Sequence, residues 1–138
     1  MVPYGTVLKI GGVGASPACV AGGISAFKLS TNEYDAVRFP RIGHPTMVDA
    51  FAAITRTDPP VAVHVEDQKQ AERLTAEVRA ARPTEAIMPC RTRPPLVETM
   101  ENLEIFEICL RTGARVHITH SSLVSGLALA ETFHGMGV

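Results

Sequence analysis

The segment Val61-Ala62-Val63-His64-Val65 is an apolar run rich in β-branched residues, and a charged segment, 67–81, follows it directly. β-Branched side chains pack well on a pleated surface, so the run predicts a buried strand. Charged residues line one side of the helical pattern in 67–81, while Leu74 and Val78 supply its buried side. A buried strand followed by a solvent-facing helix is the repeating unit of a parallel α/β sheet.

The same alternation continues on both sides of this unit. Further strands are predicted at 5–10, 23–29 and 114–119, and further helices at 15–21, 46–55, 96–111 and 122–133. Asp58-Pro59-Pro60 and the proline-rich loop 83–95 break the helical patterns between them. Four strands that alternate with helices predict an α/β fold with a parallel sheet, because crossover helices connect parallel neighbours.

Composition indicates an ordinary globular domain that spans residues 1–138. The chain is 46% hydrophobic and 20% charged, and its net charge of -1 comes from 13 basic and 14 acidic residues spread along its length. The sequence has no basic patch that would indicate a nucleic-acid partner. No window reaches the roughly 20 apolar residues of a membrane span. We therefore expect a small molecule or another protein as the partner.

The three cysteines, Cys19, Cys90 and Cys109, are far apart and form no CxxC pair. This spacing is typical of reduced thiols in a cytoplasmic protein rather than of a disulfide framework or a zinc ribbon. Cys90 stands in the loop before Arg93, where it would approach a metal or, as we favour, pack as a thiol. We expect a cytoplasmic protein whose cysteines fill space.

An alternative interpretation, a nucleotide-binding domain, depends on the glycines after the first predicted strand. Gly11-Gly12-Val13-Gly14 stands where a doubly wound nucleotide-binding domain has its phosphate loop. The segment lacks the GxGxxG spacing and the GK[ST] ending, and no acidic residue follows the next strand to hold a ribose. A flexible turn is therefore favoured over an anion site.

The predicted strands end in residues suited to chemistry, namely Lys28, His64 and His120. In parallel barrels, side chains at the carboxyl ends of the strands build the active site. Side chains alternate between the two faces of a strand. The inward face predicted by alternation consists of Ile24, Ala26 and Lys28, of Ala62 and His64, and of Ala114, Val116, Ile118 and His120. His117 would then face the helices and be structural.

Two neutral imidazoles are good ligands for zinc or a similar divalent ion. An ammonium group beside them repels a cation, but the neutral amine of Lys28 can react with carbon dioxide to give a carbamate. The two oxygens of a carbamate can bridge two metals roughly 3.5 to 4 Å apart. Instead of carrying a carbamate, the Lys28 side chain could extend its amine to solvent or pair with Glu66. Instead of binding metal, His64 and His120 could be hydrogen-bonded core residues.

Four short motifs in order resemble the cyclic amidohydrolase family, which includes dihydropyrimidinase (hydantoinase), allantoinase and dihydroorotase. The motifs are Gly23-Ile24-Ser25-Ala26-Phe27-Lys28, His64-Val65-Glu66-Asp67, Arg93-Pro94-Pro95 with Glu98, and His117-Ile118-Thr119-His120-Ser121-Ser122. They are similar to the family's fourth-strand, fifth-strand, helix-entry and sixth-strand motifs. The resemblance runs from about Tyr4 onward.

The resemblance implies a (β/α)8 barrel, of which this chain would supply about strands 3 to 6 with their helices. It implies a parent enzyme in which a metal-bound hydroxide attacks the ring carbonyl of a small cyclic amide. Lys28 would be the N6-carboxylysine that bridges two zinc ions, and His64 and His120 would bind metal. The parent would be a homo-oligomer, and its proton-shuttling aspartate would come from the eighth strand.

The chain also departs from the family pattern. It has no His-x-His motif of a first strand and no eighth-strand aspartate, and a whole barrel needs about 250 residues. We therefore expect this fragment alone to be inactive, and its two open sheet edges to make it self-associate. The position where hydantoinases have a tyrosine is Glu33, with Tyr34 one residue later, which argues against a hydantoin substrate.

A noncatalytic relative that keeps the fold for protein association is the alternative from another functional class. Such a relative would be expected to lose at least one of Lys28, His64 and His120, and all three are present. The ligand positions therefore favour a hydrolase.

Overall fold

A computed structural model describes residues 21–37, 40–57, 59–81, 84 and 87–138. Three strands are described, β1 (Phe27–Ser30), β2 (Val61–His64) and β3 (Val116–Thr119). The helices are α1 (His44–Ile54), α2 (Gln68–Ala80), α3 (Met88–Arg91), α4 (Pro95–Thr112) and α5 (Val124–Gly135). The strand predicted at 5–10, the glycine turn at 11–14 and, except for Ala21, the helix predicted at 15–21 lie outside the described residues.

The strands form one parallel sheet in the order β1-β2-β3. Phe27 pairs with Val61 and Val61 pairs with Val116, so the three strands start level and end level. Helices lie between successive strands in the chain, which is how parallel neighbours are connected. The predicted α/β fold with a parallel sheet is confirmed, whereas the numbering of these strands within a barrel stays a prediction.

Local sequence signals explain where the helices begin and end. Asp67 caps α2, because its carboxylate accepts a hydrogen bond of 3.0 Å from the Gln70 backbone N–H. α4 begins at Pro95, whose missing N–H costs nothing in the first turn. It ends at Gly113, which has a left-handed φ of 73° that glycine adopts without strain. The helices predicted from periodicity are confirmed to within about two residues.

One face of the sheet packs against α1 and α4 to form the core. Its members are almost completely buried, and they are Phe27, Leu29, Val61 and Val63 from the sheet, Met47, Phe51 and Ile54 from α1, and Ile105 and Cys109 from α4. Their burial removes apolar surface from water, which is the main favourable contribution to folding. The filler role predicted for Cys109 fits its position, but Cys90 is exposed rather than packed.

The buried side of α2 differs from the prediction. Ala71 is the buried residue of α2, and Leu74 and Val78 are only partly buried.

The prediction of which side chains share a face in β3 was wrong. Ala114 is buried in the core, and Val116 and Ile118 pack against it, so these residues face the helices. His117 pairs in register with Ala62, on the same face as Lys28 and away from the core. Alternation was counted back from His120, but His120 lies beyond the strand and has a left-handed φ of 62°. A residue with that backbone conformation does not continue the alternation.

Among the residues that the structure describes, no helix combines the length and the apolar character needed to cross a membrane.

Candidate active site

The second face of the sheet is polar at the carboxyl ends of the strands. Lys28 extends across β2 and donates a hydrogen bond of 2.5 Å to the Thr119 hydroxyl. Thr119 in turn donates to the Val63 carbonyl at 3.0 Å. Partial burial of the Lys28 amine lowers its pKa, because desolvation disfavours the charged form. The strand order therefore places a lysine that loses its proton more readily than usual beside the ends of β2 and β3.

His64 and His120 come together at these strand ends. Their ring centroids are 5.4 Å apart, with the rings tilted by 56°. His64 is the last residue of β2, and His120 turns back towards it because its backbone is left-handed directly after β3. His64 and His120 thus lie side by side at the strand ends, and the Lys28 amine reaches Thr119, the last residue of β3. Their role as metal ligands stays a prediction.

A tyrosine that sequence reasoning set aside belongs to the same cluster. The Tyr34 hydroxyl lies 3.0 Å from His64 Nε2, and the two rings meet edge to face with centroids 5.0 Å apart. The same hydroxyl donates to the Glu66 carboxylate. Burial raises the pKa of Tyr34, and the hydrogen bond to Glu66 raises it further. Tyr34 therefore contacts this cluster although it lies one residue after the position where hydantoinases have a tyrosine.

Glu66 is the acidic centre of the cluster. Its side chain is buried, 2.7 Å from Arg93 Nε and 3.4 Å from His64 Nε2. Burial favours a higher pKa, but hydrogen bonds from His64 and Tyr34 and the positive charge of Arg93 outweigh it and lower the pKa of Glu66 to about 2. Glu66 is therefore ionised at neutral pH. It pairs with Arg93 and not with Lys28, whose partner is Thr119.

A cleft that is open to solvent lies beside His64 and His120. Its walls also include Glu66, Arg93, Pro95, Glu98 and Ser122. Glu98 accepts hydrogen bonds from the Ser121 hydroxyl and the Ser122 backbone N–H, both at 3.0 Å. Burial opposes the ionisation of Glu98, but the bonds from Ser122 and Ser121 prevail and lower its pKa. Glu98 thereby ties the start of α4 to the end of β3, which the two separate motifs did not reveal.

Apart from the strand ends, three possible metal ligands meet between α1 and α4. His44, Glu101 and Glu104 each offer one ligand atom, and these atoms lie within 4.8 Å of one another. No sequence pattern joins these residues, because residues 44 and 101 are far apart in the chain.

The chain was compared with known protein families, curated proteins and solved structures. The scan of protein families finds no match. The allantoinase of Solibacter usitatus (strain Ellin6076) is 30% identical over 115 residues, which cover 83% of this chain and 25% of that protein. The chain thus spans about a quarter of the length of this curated relative.

Solved structures share the fold over nearly the whole chain. A D-hydantoinase matches with a TM-score of 0.87 and 20% identity, covering 98% of this chain and 30% of its own. The L-hydantoinase (dihydropyrimidinase) of Arthrobacter aurescens matches with a TM-score of 0.89 and 18% identity, over 96% of this chain and 29% of its own. The fold described here is therefore found within these larger enzymes.

Proposed function

We propose that this chain is a relative of the cyclic amidohydrolases and that it supplies part of the catalytic barrel of a metal-dependent hydrolase of cyclic amide C–N bonds. The observation that carries the proposal is that His64 and His120 lie side by side at the carboxyl ends of β2 and β3, while the Lys28 amine reaches Thr119 at the end of β3. That end of the strands is where barrel enzymes place their active sites. The 30% identity to an allantoinase makes a small cyclic ureide or amide the first substrate class to test.

The side chains at the strand ends fit a divalent metal centre. His64 and His120 offer imidazole nitrogens within one cluster, and Lys28 offers an amine whose pKa is lowered by burial. Together these three residues would hold the metal. When bound, a divalent metal supplies Lewis acidity towards the ring carbonyl and lowers the pKa of water.

Lys28 contributes through its neutral form, because only an unprotonated amine reacts with carbon dioxide to form a carbamate. Its lowered pKa increases the fraction of neutral amine. The hydrogen bond to Thr119 holds the amine towards the end of β3, where His120 follows. The lowered pKa and the contact with Thr119 support Lys28 as the residue that would carry a carbamate.

The contacts of His64 indicate which ring nitrogen would face the metal. The Tyr34 hydroxyl donates its hydrogen to Glu66, so its oxygen is free to accept from His64 Nε2. A proton on Nε2 leaves the lone pair on Nδ1. A metal-binding histidine commonly donates its other N–H to such an acceptor, which fixes the ring and its tautomer. Tyr34 and Glu66 would thus position His64 as a ligand through Nδ1.

Arg93 and Glu98 would shape the cleft into which a substrate enters. Arg93 neutralises the buried Glu66 carboxylate, and Glu98 fixes the segment that follows His120.

The experiment that tests the proposal uses the protein encoded by the whole reading frame that contains this chain. Ring opening is measured for allantoin, hydantoin, dihydrouracil and dihydroorotate in the wild type and in Lys28→Ala. The matched control is His117→Asn, a residue of the same sheet face that has no assigned role. We expect the wild type to open at least one ring, Lys28→Ala to fall to the background rate, and His117→Asn to retain activity.

Wild-type turnover with full metal content in Lys28→Ala would refute the assignment of Lys28. No ring opening by the wild type with any of these substrates would instead favour the noncatalytic, protein-associating relative.

A further inference from the structure

The cluster of His44, Glu101 and Glu104 shares no residue with the strand-end site. His44 is the first residue of α1, and Glu101 and Glu104 lie one turn apart on α4. His44 Nε2 is 2.6 Å from Glu104 Oε2 and 4.0 Å from Glu101 Oε2. Two helices that are distant in sequence thus present one imidazole and two carboxylates to a common point.

Glu101 is the unusual member of this cluster, because it is buried and incompletely paired. The residue is 5% exposed, and its Oε2 atom has no hydrogen-bond partner among the described residues. Burial raises the pKa of Glu101 to about 7, and the nearby carboxylates of Glu104 and Asp67 add to the effect. Thr31 and Arg41 oppose it but do not cancel it. A buried carboxylate oxygen without a partner is costly.

We propose that His44, Glu101 and Glu104 bind a divalent first-row transition metal, for which Zn²⁺ is the probe. An imidazole and two carboxylates form a ligand set that zinc and similar ions accept. The ion would satisfy Glu101 Oε2 and offset the repulsion between the two glutamates. Water would complete the coordination, because the side chains of His44 and Glu104 are 45% and 41% exposed.

The observed separations are close to those that a metal needs. Zinc–ligand bonds of about 2.0 to 2.2 Å place the ligand atoms of a tetrahedral site roughly 3.3 to 3.6 Å apart. The separations of 2.6 and 4.0 Å lie on either side of this range. Small rotations of the two exposed side chains, His44 and Glu104, adjust both distances while the buried Glu101 stays in place.

An ordinary ion pair between His44 and Glu104 explains less of the arrangement. It accounts for the contact of 2.6 Å, but it leaves Glu101 Oε2 buried and unpaired. A metal would account for all three residues and would join α1 to α4. Because it binds the folded chain only, it would stabilise the fold in proportion to the logarithm of its concentration.

The test uses the protein encoded by the whole reading frame with Lys28→Ala, His64→Asn and His120→Asn, which removes the proposed strand-end ligands of this chain. Zinc binding is measured by equilibrium dialysis, and the thermal unfolding midpoint is followed with and without zinc. We expect one zinc per chain and a higher midpoint with zinc. Adding Glu101→Gln or the more exposed His44→Gln should weaken binding by about 100-fold or more, since loss of a ligand costs at least as much as loss of a supporting residue.

Matched controls are Glu107→Gln, an exposed carboxylate of α4, and His134→Gln, an exposed imidazole of α5. Both should bind zinc as tightly as the background variant. The proposal is overturned if the background variant binds no zinc, or if His44→Gln binds as tightly as the control His134→Gln. The proposed hydrolase does not depend on either result, because its test rests on Lys28.

Discussion

The two faces of the β-sheet are built from alternate residues of the same three strands, and they serve different purposes. Phe27 and Val63 face α1 and α4 and are at most 1% exposed. Their neighbours Lys28 and His64 face the other way and form hydrogen bonds with Thr119 and Tyr34. One face therefore stabilises the fold and the other holds reactive groups. Adjacent residues in one strand can be substituted to separate the two contributions.

The largest difference is expected between Phe27→Ala and Lys28→Ala. Removal of the buried Phe27 ring leaves a cavity and should destabilise the chain by about 3 to 5 kcal/mol. Lys28→Ala removes a partly buried hydrogen bond and should cost about 0.5 to 1.5 kcal/mol. Urea unfolding of both variants measures the difference. Equal losses would show that the polar face contributes to stability as much as the core face.

Within the polar face, Glu66→Gln should have the strongest effect on stability. The pKa of Glu66 is lowered to about 2 in the folded chain, so its contribution is present above the ordinary carboxyl pKa and is lost as pH falls towards 2. We expect a loss of about 2 to 3 kcal/mol at pH 7 that shrinks below about pH 4.5. The control is Glu72→Gln on the exposed side of α2. A difference independent of pH would contradict the assigned pKa.

Glu101→Gln should stabilise the folded chain, whereas Glu66→Gln should destabilise it. The pKa of Glu101 is raised to about 7, so the folded chain binds this proton more tightly than the unfolded chain. Stability is then lost as pH rises from about 4.5 through 7. In metal-free buffer at pH 8, Glu101→Gln should be more stable than the wild type by roughly 2 kcal/mol, and the gain should disappear near pH 4.5. A loss of stability at pH 8 would argue that the charged carboxylate is well paired.

The smallest effect is expected for His117→Asn. His117 is exposed and lies on the polar face without an assigned contact, so the substitution should change the free energy of unfolding by less than about 0.5 kcal/mol. Thermal unfolding monitored by circular dichroism is sufficient. A larger loss would show that this face is packed more closely around β3 than its exposure indicates.

The sequence predicted much of this arrangement because its signals are local. The apolar run at Val61 and the charged segment 67–81 after it predict a strand and a helix from neighbouring residues alone. The assignment of His64 to a strand end was correct, whereas Lys28 is the second residue of β1, which begins and ends later than the predicted strand at 23–29. Strand alternation then fixed their shared face, which the register between β1 and β2 supports.

What the sequence did not predict depends on backbone geometry or on contacts between distant residues. The face of His117 was assigned wrongly because His120 turns with a left-handed φ that alternation does not anticipate. The contact of Tyr34 with His64 joins a loop to a strand end 30 residues away. The meeting of His44 with Glu101 depends on how α1 packs against α4, which only the folded chain defines.

We propose that Lys28, His64 and His120 together hold metal, with Lys28 as a carbamate. The most direct measurement is the zinc content of the whole-frame protein purified in bicarbonate, with ¹³C-bicarbonate NMR to detect a carbamate carbon. A His44→Gln background removes any contribution from the second cluster. We expect this background to contain zinc and to give a carbamate signal. Both should be diminished by Lys28→Ala and retained in His117→Asn. Equal zinc in all three proteins without a carbamate signal would contradict the account.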